Sequence, residues 1–366
     1  MIEFKKDRIY EQLKRDILNH TLFPGMRLPN EKQLAERMQV GQVTLRSALA
    51  RLEAEKLVER VRGRGTFVSD ASRRRTFLLL QPDGADTTAS SSRYIAEGLA
   101  SAAEKKSVVI ERCPAGLFMS FSAEECRWMI FRNRISGIVL DSGHSRVDPL
   151  MIERIKSFNL PVVIPHGLPH DAERSGFLVL RTNEREAFAD GLRMLRDFGH
   201  RRIAFLRIKL PGEDVADIRG FSDRELSDFY REISLEPDDE LLVTAGCAAN
   251  EIAETVKNWM NSSEPPTAIM CHSDNIAMRV CLVLKQLGIK IPGQLSVMGY
   301  CNYPGAQLML PALSTIDVHF HECGELALQQ LLCADKWFRP GVTPGEIFTP
   351  HTIINRESVA VLKNPR

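Results

Sequence analysis

Residues 39–68 read QVGQVTLRSALARLEAEKLVERVRGRGTFV, and the way this stretch folds decides the architecture of the N-terminal part of the chain. Leu45, Ala48, Leu49 and Leu52 recur at helical spacing after a turn at Val40-Gly41, so the pattern predicts a helix that turns these residues inward. Gln42, Thr44, Arg46 and Arg51 then fall near its N-terminal and outer faces. LVERV and GTFV predict two short strands around Arg62-Gly63-Arg64-Gly65. Glycine permits tight turns and close backbone approach, and arginine supplies a planar fork of donors suited to phosphates and guanine edges. A basic hairpin tip pressed against a nucleic acid uses both properties. A solvated surface turn requires neither in particular, and the stretch alone leaves both readings open.

The residues upstream decide between them. Ile9, Leu13, Ile17 and Leu18 recur at helical spacing until FPG at 23–25. Asn30 followed by Gln33 is a capping-box signature that opens a second, short helix burying Leu34, Ala35 and Met38. Helix, helix-turn-helix and two-stranded wing make a winged helix, whose third helix enters the major groove with its N-terminal residues at base edges. The charge balance agrees. Residues 1–76 hold 17 Lys and Arg against 10 Asp and Glu, a net of +7, whereas the other 290 residues hold 31 against 37, a net of −6. A basic head on a mildly acidic body fits a polyanionic partner for the head.

The segment FPGMRLPNEKQLAERMQVGQVTLRSALARLEAEKLVERVRGRGTFV resembles the GntR family of bacterial transcription regulators, over essentially all of residues 5–70. The resemblance implies double-stranded DNA as partner. Position by position it places Lys32, Gln42, Thr44, Arg46, Arg64 and Gly65 where such proteins touch DNA, with Arg62 beside them on the wing. Two departures stand out. The family's Ser-Arg at the start of the recognition helix is Gly41-Gln42 here, and its Ser after Leu-Pro is Asn30. Gln in place of Arg trades guanine readout for a side chain that pairs well with adenine, so an altered half-site is expected. A winged helix used for protein contacts remains the alternative.

SDASRRRT at 69–76 is a short polar, basic stretch, read as a solvated linker or as a DNA-facing arm. Beyond it, apolar strand patterns (FLLLQP, VVIERC, GIVLDS, PVVIPH, RRIAFLRI, TAIMCHS, LSVMGYC) alternate with amphipathic helical ones. Such alternation predicts an α/β body of parallel sheets covered on both faces, in two lobes, with ligands at the carboxyl ends of strands. DFGHRRIAFL, PPTAIMCHSDNIAMRVCLVLKQLGIKIPGQLSVMGY and LPALSTIDVHFHECGELALQQLL resemble the sensor domain of LacI/GalR repressors, which is similar to periplasmic sugar-binding proteins. With a GntR-type head, the whole resembles the arabinose-repressor class of hybrid regulators. The expected domains are 1–70, a linker at 71–76 and a sensor at 77–366. Within the sensor, one lobe is expected at 77–180 plus roughly 301–335, the other at 181–300 plus the tail.

The resemblance also marks candidate ligand residues, and here the sequence departs most. Cys301-Asn302 stands for the family's Asp-Asp, Ser273-Asp274 for its Asn-Asp, and Asp217 for the arginine of R-x-x-G-[FWY], with Arg219 two places on. His166 takes a position often filled by Asp, and Arg112, Asp83, Ser92 and Arg93 lie at strand ends or in the first-strand loop. Losing one carboxylate and reversing one arginine changes what is held by charged, bidentate hydrogen bonds. An uncommon sugar, an amine-bearing ligand and a degenerate pocket all stay open.

His319, His321 and Cys323 would share one face of a strand, but no fourth metal ligand accompanies them. No metal or cofactor is expected. There is no P-loop, dinucleotide fingerprint or G-x-S-x-G elbow, so a binding protein is favoured over an α/β enzyme. The eight cysteines are scattered through apolar segments with no C-x-x-C pair, and the N-terminus lacks a signal-peptide core. Free thiols and a cytoplasmic location are expected; the resemblance adds a homodimer and a small-molecule effector.

Overall fold

The computed structural model describes residues 5–18, 21–23, 25–55, 57–61, 63–69, 75–84, 90–143, 146–209, 223–246 and 248–362. Three helices open the chain: α1 (Lys5–Leu18), α2 (Glu31–Arg37) and α3 (Gln42–Ala54). They pack through the residues whose spacing predicted them. Ile9, Leu13 and Ile17 of α1, Leu34 and Ala35 of α2, and Leu45, Ala48, Leu49 and Leu52 of α3 form one buried core with Tyr10, Leu28, Val58 and Val68. Asn30 caps α2 by accepting from the Gln33 amide at 2.9 Å, which satisfies one of the amides a helix start leaves open.

Strands β1 (Val58–Val61) and β2 (Gly65–Val68) pair antiparallel, Val58 opposite Val68 and Val61 opposite Gly65. The sequence reading missed a third member. Arg27 bridges to Phe67, and Leu28 and Met26 exchange main-chain hydrogen bonds with Thr66 and Val68 at 2.9 and 2.8 Å. The segment between α1 and α2 thus anchors the wing and leaves only its tip projecting.

The body continues with β3 (Thr76–Gln81), α4 (Ser91–Lys106), β4 (Val109–Pro114), α5 (Ala115–Ser120), α6 (Ala123–Arg132), β5 (Ile135–Leu140), α7 (Pro149–Lys156), β6 (Val162–Ile164), α8 (Asp171–Ser175) and β7 (Leu178–Thr182). Then follow α9 (Glu184–Asp197), β8 (Ile203–Lys209), α10 (Asp223–Glu232), β9 (Leu242–Gly246), α11 (Ala249–Asn261), β10 (Ala268–Cys271), α12 (Asp274–Gln286), β11 (Ser296–Met298) and α13 (Pro304–Gln307). The chain closes with β12 (Thr315–Asp317), α14 (Phe320–Leu332), β13 (Glu346–Thr349) and β14 (Thr352–Ile354).

The strands form a six-stranded sheet, β13-β7-β6-β5-β3-β4, and a four-stranded sheet, β11-β10-β8-β9, with β12 and β14 paired antiparallel beside them. Neighbours in the four-stranded sheet run parallel, as do β6 with β7 and β7 with β13. Strand β8 shows why its sequence reads as a continuous apolar run. Ile203 and Phe205 enter one buried cluster and Ala204 and Leu206 another, so both faces of the sheet are covered.

The tail divides its contacts. Glu346–Thr349 pairs with Leu178–Thr182 as the edge of the six-stranded sheet, where the expected lobe assignment kept the tail with the second lobe. Farther on, Ser358 bonds Val297 of β11, and Leu362 donates to the Phe198 carbonyl at 2.7 Å. The short spacing between β13 and β14 hid this division, because neither strand is apolar enough to read as core.

The chain separates into two compact units. One comprises 1–79, 103–138 and 148–161; the other comprises 80–102, 139–147 and 162–366.

Candidate functional site

The DNA-facing candidates sit where the head's fold exposes them. Lys32, Gln42, Arg46, Arg64 and Gly65 are exposed and Thr44 is half-buried; Arg62 lies outside the described residues. Gly41 is the N-cap of α3 and no side chain bonds the first-turn amides, so that end of the helix combines unsatisfied donors with positive partial charge. Val43, 81% exposed beside them, was not singled out from the sequence. An aliphatic side chain there suits contact with a thymine methyl. Arg46 Nε lies 2.6 Å from Glu31 Oε2. Arg51 turns the other way: it pairs with Asp7 at 2.6 Å and stacks over the Tyr10 ring at 3.8 Å, clipping α3 to α1.

The wing tip explains its glycines. Arg64 N–H closes a turn on the Val61 carbonyl at 2.9 Å, with Gly63 at φ +77°. Gly65 has φ +117°, and an added Cβ would lie 3.0 Å from Arg27 Nε. Position 65 therefore excludes a side chain on two counts, backbone conformation and the Arg27 guanidinium packed against it. Arg27 adds a further exposed cation at the base of the wing, a residue the sequence reading passed over.

In the body, a buried polar cluster forms at the carboxyl ends of β3, β5 and β6. Ser92, Asp141 and His166 are 1%, 4% and 5% exposed. The Ser92 hydroxyl lies beside the Asp141 carboxylate, and burial still raises the Asp141 pKa above the usual carboxylate range. Asp141 Oδ1 accepts the Gly143 amide at 2.9 Å. Ser92 Oγ, Asp141 Oδ2 and Ser142 Oγ make no hydrogen bond of ordinary geometry. Cys323 meets the His166 backbone and is pushed up to about 12 by burial. A row of rings borders the cluster: His166 meets Phe320 edge-on at 4.7 Å, Phe320 stacks with Tyr303 at 5.8 Å, and Tyr303 lies 6.0 Å from Tyr94.

Asp141 and Ser142 were not candidates from the sequence. The signal was there, since GIVLDS is an apolar strand ending in polar residues, as PVVIPH is at His166.

The second group of candidates serves mainly as structure. Ser273 caps α12, accepting from Ile276 N–H at 3.4 Å. Asp274 is fully buried, and its two oxygens accept Thr315 Oγ1–H at 2.6 Å and Tyr303 N–H at 2.7 Å. Burial raises its pKa to about 7 in spite of these donors. Asn302 donates to Asp317 Oδ2 at 2.7 Å and accepts from Arg356 Nη2 at 2.7 Å, so its side chain ties the chain crossing between β11 and β12. Cys301 is 2% exposed at φ +106°. Asp83 and Arg112 are exposed, and Arg93 pairs with Glu97 at 2.9 Å on the partly exposed side of α4; these three stand outside the buried cluster. Asp217, with Arg219, lies outside the described residues.

The trio His319, His321 and Cys323 diverges. The strand ends at Asp317 and α14 begins at Phe320, so strand alternation does not hold. His319 bonds Thr352 at 2.9 Å, while Cys323 faces His166. Among the described residues no three His, Cys, Asp or Glu side chains converge as metal ligands. No helix described is long and apolar enough to cross a membrane. Among the described cysteines all are free, and all but Cys333 are buried.

Comparison with known proteins accounts for both parts. Residues 5–68 match the model for bacterial regulatory proteins of the gntR family, and residues 192–359 match that for a periplasmic binding protein-like domain. An arabinose metabolism transcriptional repressor of Geobacillus stearothermophilus is 25% identical over 346 residues, covering 88% of this chain and 90% of that protein. The structure of a LacI-family regulatory protein from Chloroflexus aggregans superposes with a TM-score of 0.62 at 17% identity, covering 78% of this chain and 98% of that one. A LacI-family regulator from Enterococcus faecium with bound ribose does so at 0.58 and 21% identity, covering 79% and 100%. The chain joins a head that matches the gntR family of bacterial regulatory proteins to a body that matches a periplasmic binding protein-like domain, the build of a ligand-responsive transcription regulator.

Proposed function

We propose that the chain is a cytoplasmic homodimeric repressor that binds a palindromic operator and changes its affinity when a sugar or sugar-like molecule occupies the sensor. The observation that carries the sensor reading is the corner formed by Ser92 Oγ, Asp141 Oδ2 and Ser142 Oγ. All three are buried polar atoms without a hydrogen bond of ordinary geometry. Each such atom costs about 1–3 kcal/mol unless something bonds it, and a hydroxyl-rich ligand supplies donors and acceptors to all three. Tyr94, Tyr303 and Phe320 offer ring faces for its C–H surfaces. The names of relatives agree: they include repressors of arabinose metabolism and of a ribose operon.

On the DNA side, Gln42, Thr44 and Arg46 are read as the base-facing and phosphate-facing residues of α3. Lys32 and the wing residues Arg62, Arg64 and Gly65 are read as backbone contacts. His166 belongs with the ligand corner, Asp217 and Cys301 are carried as ligand residues by the resemblance alone, and the division at 1–70, 71–76 and 77–366 goes with this reading. For the sensor to act as a switch, ligand must prefer one lobe geometry over the other; equal binding to both moves nothing.

The test is thermal unfolding of the full chain against arabinose, ribose, xylose, galactose, glucosamine and adenosine. A ligand at about 100 times its Kd adds roughly 2.7 kcal/mol of apparent stability. A shift for a sugar that Asp141→Ala abolishes supports the reading. A shift that survives Asp141→Ala and Ser142→Ala moves the site elsewhere, and silence across the panel overturns the sugar assignment.

A further inference from the structure

The end of α6 meets the DNA-binding head. Lys14 Nζ lies 5.0 Å from the centroid of the Tyr10 ring and 5.5 Å from that of Phe131, so one ammonium from α1 is shared between a ring of the head and a ring of the sensor. Three residues on, Arg134 Nη2 donates to the main-chain carbonyl of Glu55 at 3.2 Å. These residues all fall within the first of the two units.

Glu55 is the C-cap of α3. The last carbonyls of a helix have no intrahelical donor and carry the negative end of its dipole, so a guanidinium is well matched there. Glu55 is also where α1 and α3 are tied together. Its carboxylate accepts the Tyr10 hydroxyl and, at 2.8 Å, Lys14 Nζ. The sensor therefore touches the head at the junction that fixes the far end of the recognition helix.

The backbone at Arg134 bears on the choice of test variant. Arg134 follows the C-cap Asn133 of α6 and has φ +52°. Helices commonly place glycine at this left-handed position, because a side chain is strained there.

We propose that Phe131 and Arg134 form a docking surface of the sensor whose partner is the chain's own DNA-binding head, seated by the C-terminal end of α3. The contacts are partly exposed, since Phe131 is half-buried and Arg134 exposed, which suits a clasp that opens and closes. Strand β5 starts at the residue after Arg134 and ends at the residue before Asp141, six extended residues or about 20 Å of chain. The docking itself stands whether or not Asp141 binds a sugar.

Hydrogen exchange of the full-length protein tests it, read at the amides of residues 50–57. In Phe131→Ala/Arg134→Ala these amides exchange about tenfold faster while the sensor's unfolding transition stays in place, and Arg134→Lys retains most of the protection. Arg134→Gly is the deciding variant, because it relieves the left-handed backbone and removes only the side chain. Faster exchange at α3 in Arg134→Gly supports the clasp. Unchanged exchange there overturns it, even if the double variant fails to fold.

Discussion

The Arg46 guanidinium lies 2.6 Å from the Glu31 carboxylate, joining the recognition helix α3 to the start of α2. The side chains are 60% and 30% exposed, so the pair contributes little to stability. What it does is hold one long side chain at one angle on the face proposed to meet DNA. Arg46→Ala is expected to erase sequence preference, at about 1–3 kcal/mol for each base pair it no longer reads, without lowering the sensor's Tm. Glu31→Ala is expected to blur that preference while leaving stability within about 0.5 kcal/mol. Selection from a random duplex library reads both, and an unchanged preferred site in Arg46→Ala removes α3 from the recognition role.

Gly65 and Arg27 make the wing a second test. Gly65→Ala forces a Cβ to within 3.0 Å of Arg27 Nε at φ +117°, at a cost of about 1–3 kcal/mol. A lower Tm for the head follows. Arg64→Ala leaves the fold alone and lowers the salt slope of duplex binding by about one. An unaltered slope shows that Arg64 does not meet phosphate.

Asp274 sets a pH dependence of definite sign. Its folded-state pKa is raised to about 7, against about 3.9 in an unfolded chain. The folded protein therefore holds this proton more tightly than the unfolded one. The resulting stability is complete below about pH 4 and is lost as pH rises through about 7. His200, buried between Thr267 and the Ala360 carbonyl, has a lowered pKa and acts oppositely, its contribution being lost as pH falls below about 6.5. Comparing urea midpoints from pH 4 to 8 in wild type and Asp274→Asn isolates the aspartate. The variant's curve loses the decline toward neutral pH, and parallel curves contradict the assignment.

Arg356 holds the crossing between β11 and β12, donating to the Leu313 carbonyl and to Asn302 Oδ1, both at 2.7 Å. Arg356→Leu leaves both acceptors short of a charged donor and is expected to cost about 1–3 kcal/mol. Thermal unfolding measures it; a loss below about 0.5 kcal/mol would show that water replaces the guanidinium.

The head was legible because each of its signals is local. Leu45, Ala48, Leu49 and Leu52 share a helix face by spacing alone, and Asn30 caps a helix three residues from its partner. The alternating elements of the body were legible for the same reason, since a strand covered on both faces must be apolar throughout. Which polar residues face a ligand was not legible, because that depends on what the returning chain brings beside them.

Asn302 and Asp141 show the division. The resemblance marks Asn302 as a candidate ligand residue, and Asp317 and Arg356, 15 and 54 residues away, bond its side chain. Asp141 drew no notice, yet it is buried beside the Ser92 hydroxyl with one oxygen making no hydrogen bond of ordinary geometry. Near-neighbour spacing and charge suffice for the helices, the two-stranded wing hairpin, the parallel strands and the basic head. Which buried polar atoms are bonded within the fold and which are not emerges only from the packed molecule, because hydrogen-bond satisfaction is settled by contacts between residues far apart in the chain.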